Sequence, residues 1–167
     1  VAGDCDGDGD VDLQTFFLAG QVVRFDNISQ PVPTAAARES AQLSSGDAFD
    51  IAPIALERDG DVDVITVGLD GVVLYDNAFG ARFPFSTANS TVLRADTGYT
   101  EIASGDIDND GDVDAVAAKD NGQITLFRSD GDGAIEQIVD LTFDSAAQTS
   151  ELEQADLTVD GDLDVLE

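Results

Sequence analysis

The chain has no histidine, one cysteine and one lysine among its 167 residues. Without histidine the usual proton-transfer group near neutral pH is missing, so acid–base chemistry would fall to carboxylates. A lone Cys5 cannot close an internal disulfide, and with no histidine beside it there is no ligand set for zinc. Positive charge is almost as scarce. Seven Lys and Arg stand against 35 Asp and Glu, for a formal net charge of −28. Nucleic acid needs a basic face and is excluded as a partner. Anionic membrane surfaces are disfavoured for the same reason, and no apolar run approaches the length of a membrane span. With 43% hydrophobic residues the chain can still build a core.

What it has in abundance is aspartate, in a pattern. Four acidic segments recur: DCDGDGDVD at 4–12, ALERDGDVD at 55–63, DIDNDGDVD at 106–114 and DLTVDGDLD at 156–164. Their central glycines, Gly9, Gly60, Gly111 and Gly161, are 51, 51 and 50 residues apart. A fixed period of this size marks a repeat architecture. The apolar positions repeat as well. Position 2 is Cys5, Leu56, Ile107 or Leu157, and position 8 is Val11, Val62, Val113 or Leu163. Cys5 therefore reads as a small packing group. A single DGD is an ordinary solvated turn, but four copies in register, with their apolar positions in step, are not.

The third segment shows the chemistry. Carboxylates fall at positions 1, 3, 5 and 9, which are Asp106, Asp108, Asp110 and Asp114. Alternate residues of a tight loop turn toward one centre, so the first three can grip one ion. Gly111 at position 6 permits the positive φ that bends the backbone back. Asp112 at position 7 then offers its backbone carbonyl, with its carboxylate outward. Calcium takes six to eight oxygen ligands in irregular geometry, which suits this set better than magnesium's strict octahedron. The first loop carries the same set: Asp4, Asp6, Asp8 and Asp12, with Asp10 as carbonyl donor. The fourth has Asp156, Asp160 and Asp164, with Thr158 at position 3 and Asp162 at position 7. The second has Ala55 at position 1, leaving Glu57, Asp59, Asp61 and Asp63 as weaker candidates. By count of acids, loops one and three should bind Ca²⁺ well, loop four weakly, and loop two weakly or not at all. No lysine or arginine is expected near loops one and three to relieve their repulsion once ions are stripped.

An EF-hand shares positions 1 to 9 but adds a bidentate acid at position 12 and a helix on each side. Position 12 here is Thr15, Thr66 and Ala117, with an acid only at Glu167. The loops are followed by VDLQTFFLAG, VDVITVG and VDAVAAK, which read as strands. One period from Thr100 gives TEIASG, the loop, VDAVAAK, an Asn121-Gly122 hairpin signal of the type I′ kind, QITLFRS, a turn from Ser129, and AIEQIVDLTF. Equivalent turns fall at Asp70-Gly71 and Ala19-Gly20. Phe25, Tyr75 and Phe127 occupy equivalent strand positions and read as core. AAARESAQL, at 35–43, is the one helical-looking stretch, and strand or loop is the expectation there too. Four short antiparallel strands per period is the pattern of a propeller blade.

The repeat resembles the FG-GAP/VCBS repeats of integrin α-type β-propellers, whose blades carry a DxDxDGxxD calcium loop between their first two strands. The likeness covers essentially residues 1–167 and departs from the family in loop two and in the poorly kept FG and GAP signatures. It implies an all-β fold of about three blades, Ca²⁺ at the loop acids named above, and an extracellular or cell-surface setting. It also implies a role in structure, adhesion or recognition. Alternatives in other classes are a non-catalytic segment of a secreted carbohydrate-active enzyme and a subunit of an extracellular filament.

No catalytic constellation is visible, so the chain is read as no enzyme. The glycines sit in DG and NG turns without phosphate-loop context, and Ser44-Ser45-Gly46-Asp47 has no base partner. Carbohydrate and protein remain the open ligand classes. The chain begins and ends in or just beyond a loop, which reads as an internal piece of a longer protein. Propellers close with four to eight blades, so the expected partners are further repeats in cis or other copies of the chain. Expressed alone, the piece is not expected to be a well-behaved monomer.

Overall fold

All four acidic loops are closed by the same strand register. The computed structural model describes residues 48–57, 62–77 and 89–142, with the strand backbones 2–3, 12–17, 21–27, 35–42, 153–155 and 164–166. The first sheet is β1 (Ala2–Gly3), β2 (Asp12–Phe17), β3 (Gln21–Asn27) and β4 (Ala35–Gln42). The second is β5 (Ala48–Ile54), β6 (Asp63–Gly68), β7 (Gly71–Tyr75) and β8 (Ser90–Arg94). The third is β9 (Tyr99–Gly105), β10 (Asp114–Lys119), β11 (Gln123–Ser129) and β12 (Ile135–Thr142). Within each sheet, chain neighbours pair antiparallel. β13 (Glu153–Ala155) and β14 (Asp164–Leu166) pair as the opening of a fourth. The residue before each loop faces the loop's ninth: Gly3↔Asp12, Ile54↔Asp63, Gly105↔Asp114 and Ala155↔Asp164. The sequence period is thus a structural period.

The protein is all-β, built of four-stranded antiparallel sheets consistent with propeller blades and not closed into a ring. No α-helix occurs among the described residues, and the alanine-rich stretch from Ala35 is strand β4, as expected. The hairpin turn differs from expectation. A type I′ turn needs positive φ at both central residues, but of Asn121 and Gly122 only the glycine has it, at 80°. Gly122 N–H donates to the Lys119 carbonyl at 3.0 Å. The turn is therefore centred on Asp120 and Asn121, with the left-handed glycine following as a G1 bulge. Gly71 repeats this one sheet earlier, at φ 89° after the Leu69–Asp70 turn. There a Cβ would stand 2.0 Å from the Arg94 carbonyl oxygen, so the third and fourth strands can pair only because position 71 has no side chain.

β6 and β10 are buried at every position. Strands covered on both faces read as apolar runs without alternation, which is why VITVG and AVAA show none. β5 packs on β9, and one cluster spans both sheets, joining Ile54, Ile65 and Val67 to Tyr99, Ala117 and Phe127. The opposite face of the third sheet carries Val116, Ala118 and Ile124, and β13 contacts β9. Tyr75 and Phe127 are core, as their matched positions implied; the side chains of Phe25 and Cys5 lie outside the described residues.

Polar links cross the same seam. Asp50 of β5 accepts hydrogen bonds from its neighbour Ile51 N–H (2.8 Å) and from Ile102 N–H of β9 (2.9 Å), satisfying an outward amide on the edge of the third sheet. Arg94 of β8 donates to Asp140 of β12 at 2.9 Å. Thr125 donates to the same Asp140 oxygen at 3.0 Å, so the buried Tyr99 hydroxyl, 3.0 Å from Thr125, must be the donor to it. Lys119, the sole lysine, is 8% exposed, lies 4.5 Å over the Tyr99 ring and pairs with Asp96. Burial works against its charge, but the Asp96 carboxylate more than offsets that and holds its pKa above the usual lysine value.

Two glycines with similar backbone angles should respond differently to alanine. Gly71→Ala forces a Cβ into the Arg94 carbonyl and should cost about 3 kcal/mol or more. Gly111→Ala meets nothing within 4 Å at φ 94° and should cost only about 1–2 kcal/mol of backbone strain. Urea unfolding in chelator measures both, and equal losses would show that the Gly71 contact does not hold β7 to β8.

Candidate metal centre

Two left-handed residues fold the third loop, Asn109 at φ 59° and Gly111 at φ 94°. The acids then cap the loop's own amides. Asp106 accepts from Asp110 N–H at 3.1 Å and from Gly111 N–H at 3.0 Å, and Asp110 accepts from Asp112 N–H at 2.9 Å. These local bonds are the ordinary turn chemistry of aspartate, and here they aim side chains inward. Ligand oxygens of Asp106, Asp108 and Asp114 come within 4.8 Å of one another. Asp108 Oδ1 is buried with no hydrogen-bond partner. Asp112 is not in this group. Its carboxylate is turned toward the Gly131 turn, where a Cβ on that glycine would meet it at 2.3 Å.

Asp114 does a second job. Its side chain is fully buried; Oδ2 accepts from Ile107 N–H at 3.1 Å and Oδ1 from Ser129 N–H at 2.9 Å. One carboxylate therefore ties the start of the loop to the end of β11. Asp63 repeats the pattern with Leu56 N–H and Asn77 N–H, both at 2.8 Å. Burial raises the pKa of Asp114, its two backbone hydrogen bonds pull it back, and the charges of Asp110 and Asp106 push it up again.

One expectation fails here. Loop three does have a cation beside it: Arg128 of β11 pairs with Asp108, and its guanidinium lies 3.8 Å from Asp110. The third strand ends over the loop, so its penultimate residue reaches the acids from outside their own segment. In the second sheet the same reach brings in an acid. Asp76, just past β7, joins Glu57 and Asp63 in a group with oxygens within 4.8 Å of one another. Asp59 and Asp61 lie outside the described residues. So do the residues of loops one and four between their closing strands, which hold Asp4, Asp6, Asp8, Asp10, Asp156, Thr158, Asp160 and Asp162. Of those loops' ninth positions, Asp12 and Asp164 are placed by backbone register alone.

The donor set fits a hard cation, since it is all oxygen, convergent, and includes one buried carboxylate oxygen with no other partner. Asp76 and Arg128 were not singled out from sequence as site residues. Their signal was present, because each directly follows the repeated aromatic, in YDN at 75–77 and FRS at 127–129. Residues 106–167 match the family model for an FG-GAP-like repeat. No curated protein matches the chain.

The bracing role of Asp114 separates from any ligand role when ions are absent. In chelator, Asp114→Ala should lose about 3 kcal/mol, because one buried and one part-buried N–H lose a charged acceptor. Asp106→Ala, whose hydrogen bonds are exposed, should lose under about 1 kcal/mol. Denaturant melts of the ion-free variants check this, and an Asp114→Ala melt matching the parent would contradict the brace.

Proposed function

We propose that this chain, which carries an FG-GAP-like repeat, is a calcium-binding extracellular module that serves structure, adhesion or recognition. The observation that carries the reading is the gathering of Asp106, Asp108 and Asp114 around a buried oxygen left without a hydrogen bond. It is strengthened by the identical closing register of all four loops. Asp106, Asp108 and Asp114, with Asp110 beside them, would hold the ion, and the Asp112 carbonyl would complete the loop's share. Calcium, when bound, supplies the positive charge that lets these carboxylates share one small volume. The corresponding residues of loop one, Asp4 to Asp12, would do the same, and Asp156, Thr158, Asp160, Asp162 and Asp164 more weakly.

In this reading the module is non-catalytic. Its loops stiffen the joint between first and second strands, and the sheets present the surface that meets other molecules. Those partners are further repeats in cis or other copies of the chain, together with a carbohydrate or protein ligand. Even with every loop filled, the surface stays strongly acidic, which favours neutral or basic partners.

Calcium should therefore raise thermal stability. A site filled to ~100 times its Kd adds roughly 2.7 kcal/mol, so melts in millimolar calcium and in chelator should differ by several degrees. Asp108→Asn should remove part of that difference while magnesium restores none of it. Asp110→Ala should also weaken calcium binding more than Asp59→Ala. Coincident melts with and without calcium would overturn the proposal.

A further inference from the structure

The register that aligns the three complete sheets also aligns one residue outside the acidic loops. Leu13 faces Phe25, Val64 faces Tyr75 and Ala115 faces Phe127. The next residue of the third strand or its end is then Asp26, Asp76 or Arg128 in turn. In the second sheet this residue adds a carboxylate to the group of Glu57 and Asp63. In the third it adds a guanidinium, paired with Asp108 and 3.8 Å from Asp110. The position therefore differs in sign of charge from sheet to sheet.

Arg128 engages the oxygens that a cation in loop three would need. Asp108 presents one oxygen to the guanidinium and keeps the other buried without a partner. Arg128 and a dication compete for the Asp108 and Asp110 carboxylates, and each repels the other at such separations. On the far side, Arg128 Nη1 donates to Gln137 at 3.4 Å, and its Nε is buried without a partner. Its side chain is about one third exposed, so solvent screens the pair without abolishing it.

We propose that Arg128 is the residue that sets the calcium affinity of loop three, acting as an internal counter-ion that occupies the acids while the ion is absent. The inference rests on the calcium reading above. It has two consequences of opposite sign. The arginine stabilises the ion-free third sheet, and it raises the calcium concentration at which loop three fills. Asp76 does the reverse for loop two, and Asp26 holds the same strand register in the first sheet. The order in which loops fill therefore depends on this residue as well as on the count of acids inside them.

The test uses the full chain and Arg128→Gln, Arg128→Asp and Arg128→Lys, each followed by calcium titration calorimetry and by melts in chelator. Removing one unit charge about 4 Å from the ligands should tighten one class of calcium site on the order of tenfold. Arg128→Asp, which installs the residue of the other two sheets, should tighten it further, and Arg128→Lys should bind like the parent. In chelator the order reverses, with the parent and Arg128→Lys melting highest. Adding Asp108→Asn to Arg128→Gln should abolish the tightened class, which assigns it to loop three. Calcium binding unchanged or weaker in both Arg128→Gln and Arg128→Asp would overturn the role of Arg128 and leave the calcium reading standing. Calcium absent from every protein would overturn both.

Discussion

A fully buried carboxylate that accepts two backbone hydrogen bonds ties neighbouring segments together in the second and third sheets. In the second and third sheets the ninth loop residue, Asp63 or Asp114, binds one amide at the start of the loop and one at or just past the end of the third strand. Three chain segments meet on one side chain. Hydrogen bonds to a charged acceptor are worth roughly 1.5–3 kcal/mol each. In the third loop this anchor stands beside the acids of positions 1 and 3 and converges with them. The repeat is therefore braced by hydrogen bonds to a carboxylate placed inside it, in a chain with almost no positive residues to compensate.

The sheets are also joined to one another through these loops. The turn at 130–134 in the third sheet reaches the second sheet's loop: Gly133 N–H donates to the Leu56 carbonyl at 3.0 Å, and Glu57 forms an isolated bridge with Asp132. Gly133, at φ 102°, brings the turn close enough that a Cβ would lie 3.1 Å from the Glu57 carboxylate. Asp50 to Ile102 and Arg94 to Asp140 add links at other points of the same seam. A change in loop two is thus felt directly by the following sheet.

Much of this was legible in the sequence. The loop period, the order of strands, the strand nature of the Ala35 segment and the burial of Tyr75 and Phe127 all follow from spacing and residue type. The turn at Asn121-Gly122 did not, because a dipeptide signal cannot distinguish a two-residue turn from a three-residue turn ending in a left-handed glycine. Arg128 and Asp76 were missed for a different reason. Spacing within a loop says nothing about a side chain arriving from a strand some 14 residues downstream of the ninth acid, and only the pairing register brings the two together.

Lys119 carries the only side-chain amine, and it is spent on Asp96 and the Tyr99 ring. To any chemistry that couples through lysine, whether a crosslinking reagent, a labelling dye or an acyl-transfer enzyme, the rest of this surface is blank. Carboxyl-activating reagents meet the opposite situation, a dense field of aspartates in which the reactive carboxylates and the structural ones compete. For a module of this composition, carboxylates are by far the most numerous charged handles for a covalent tether.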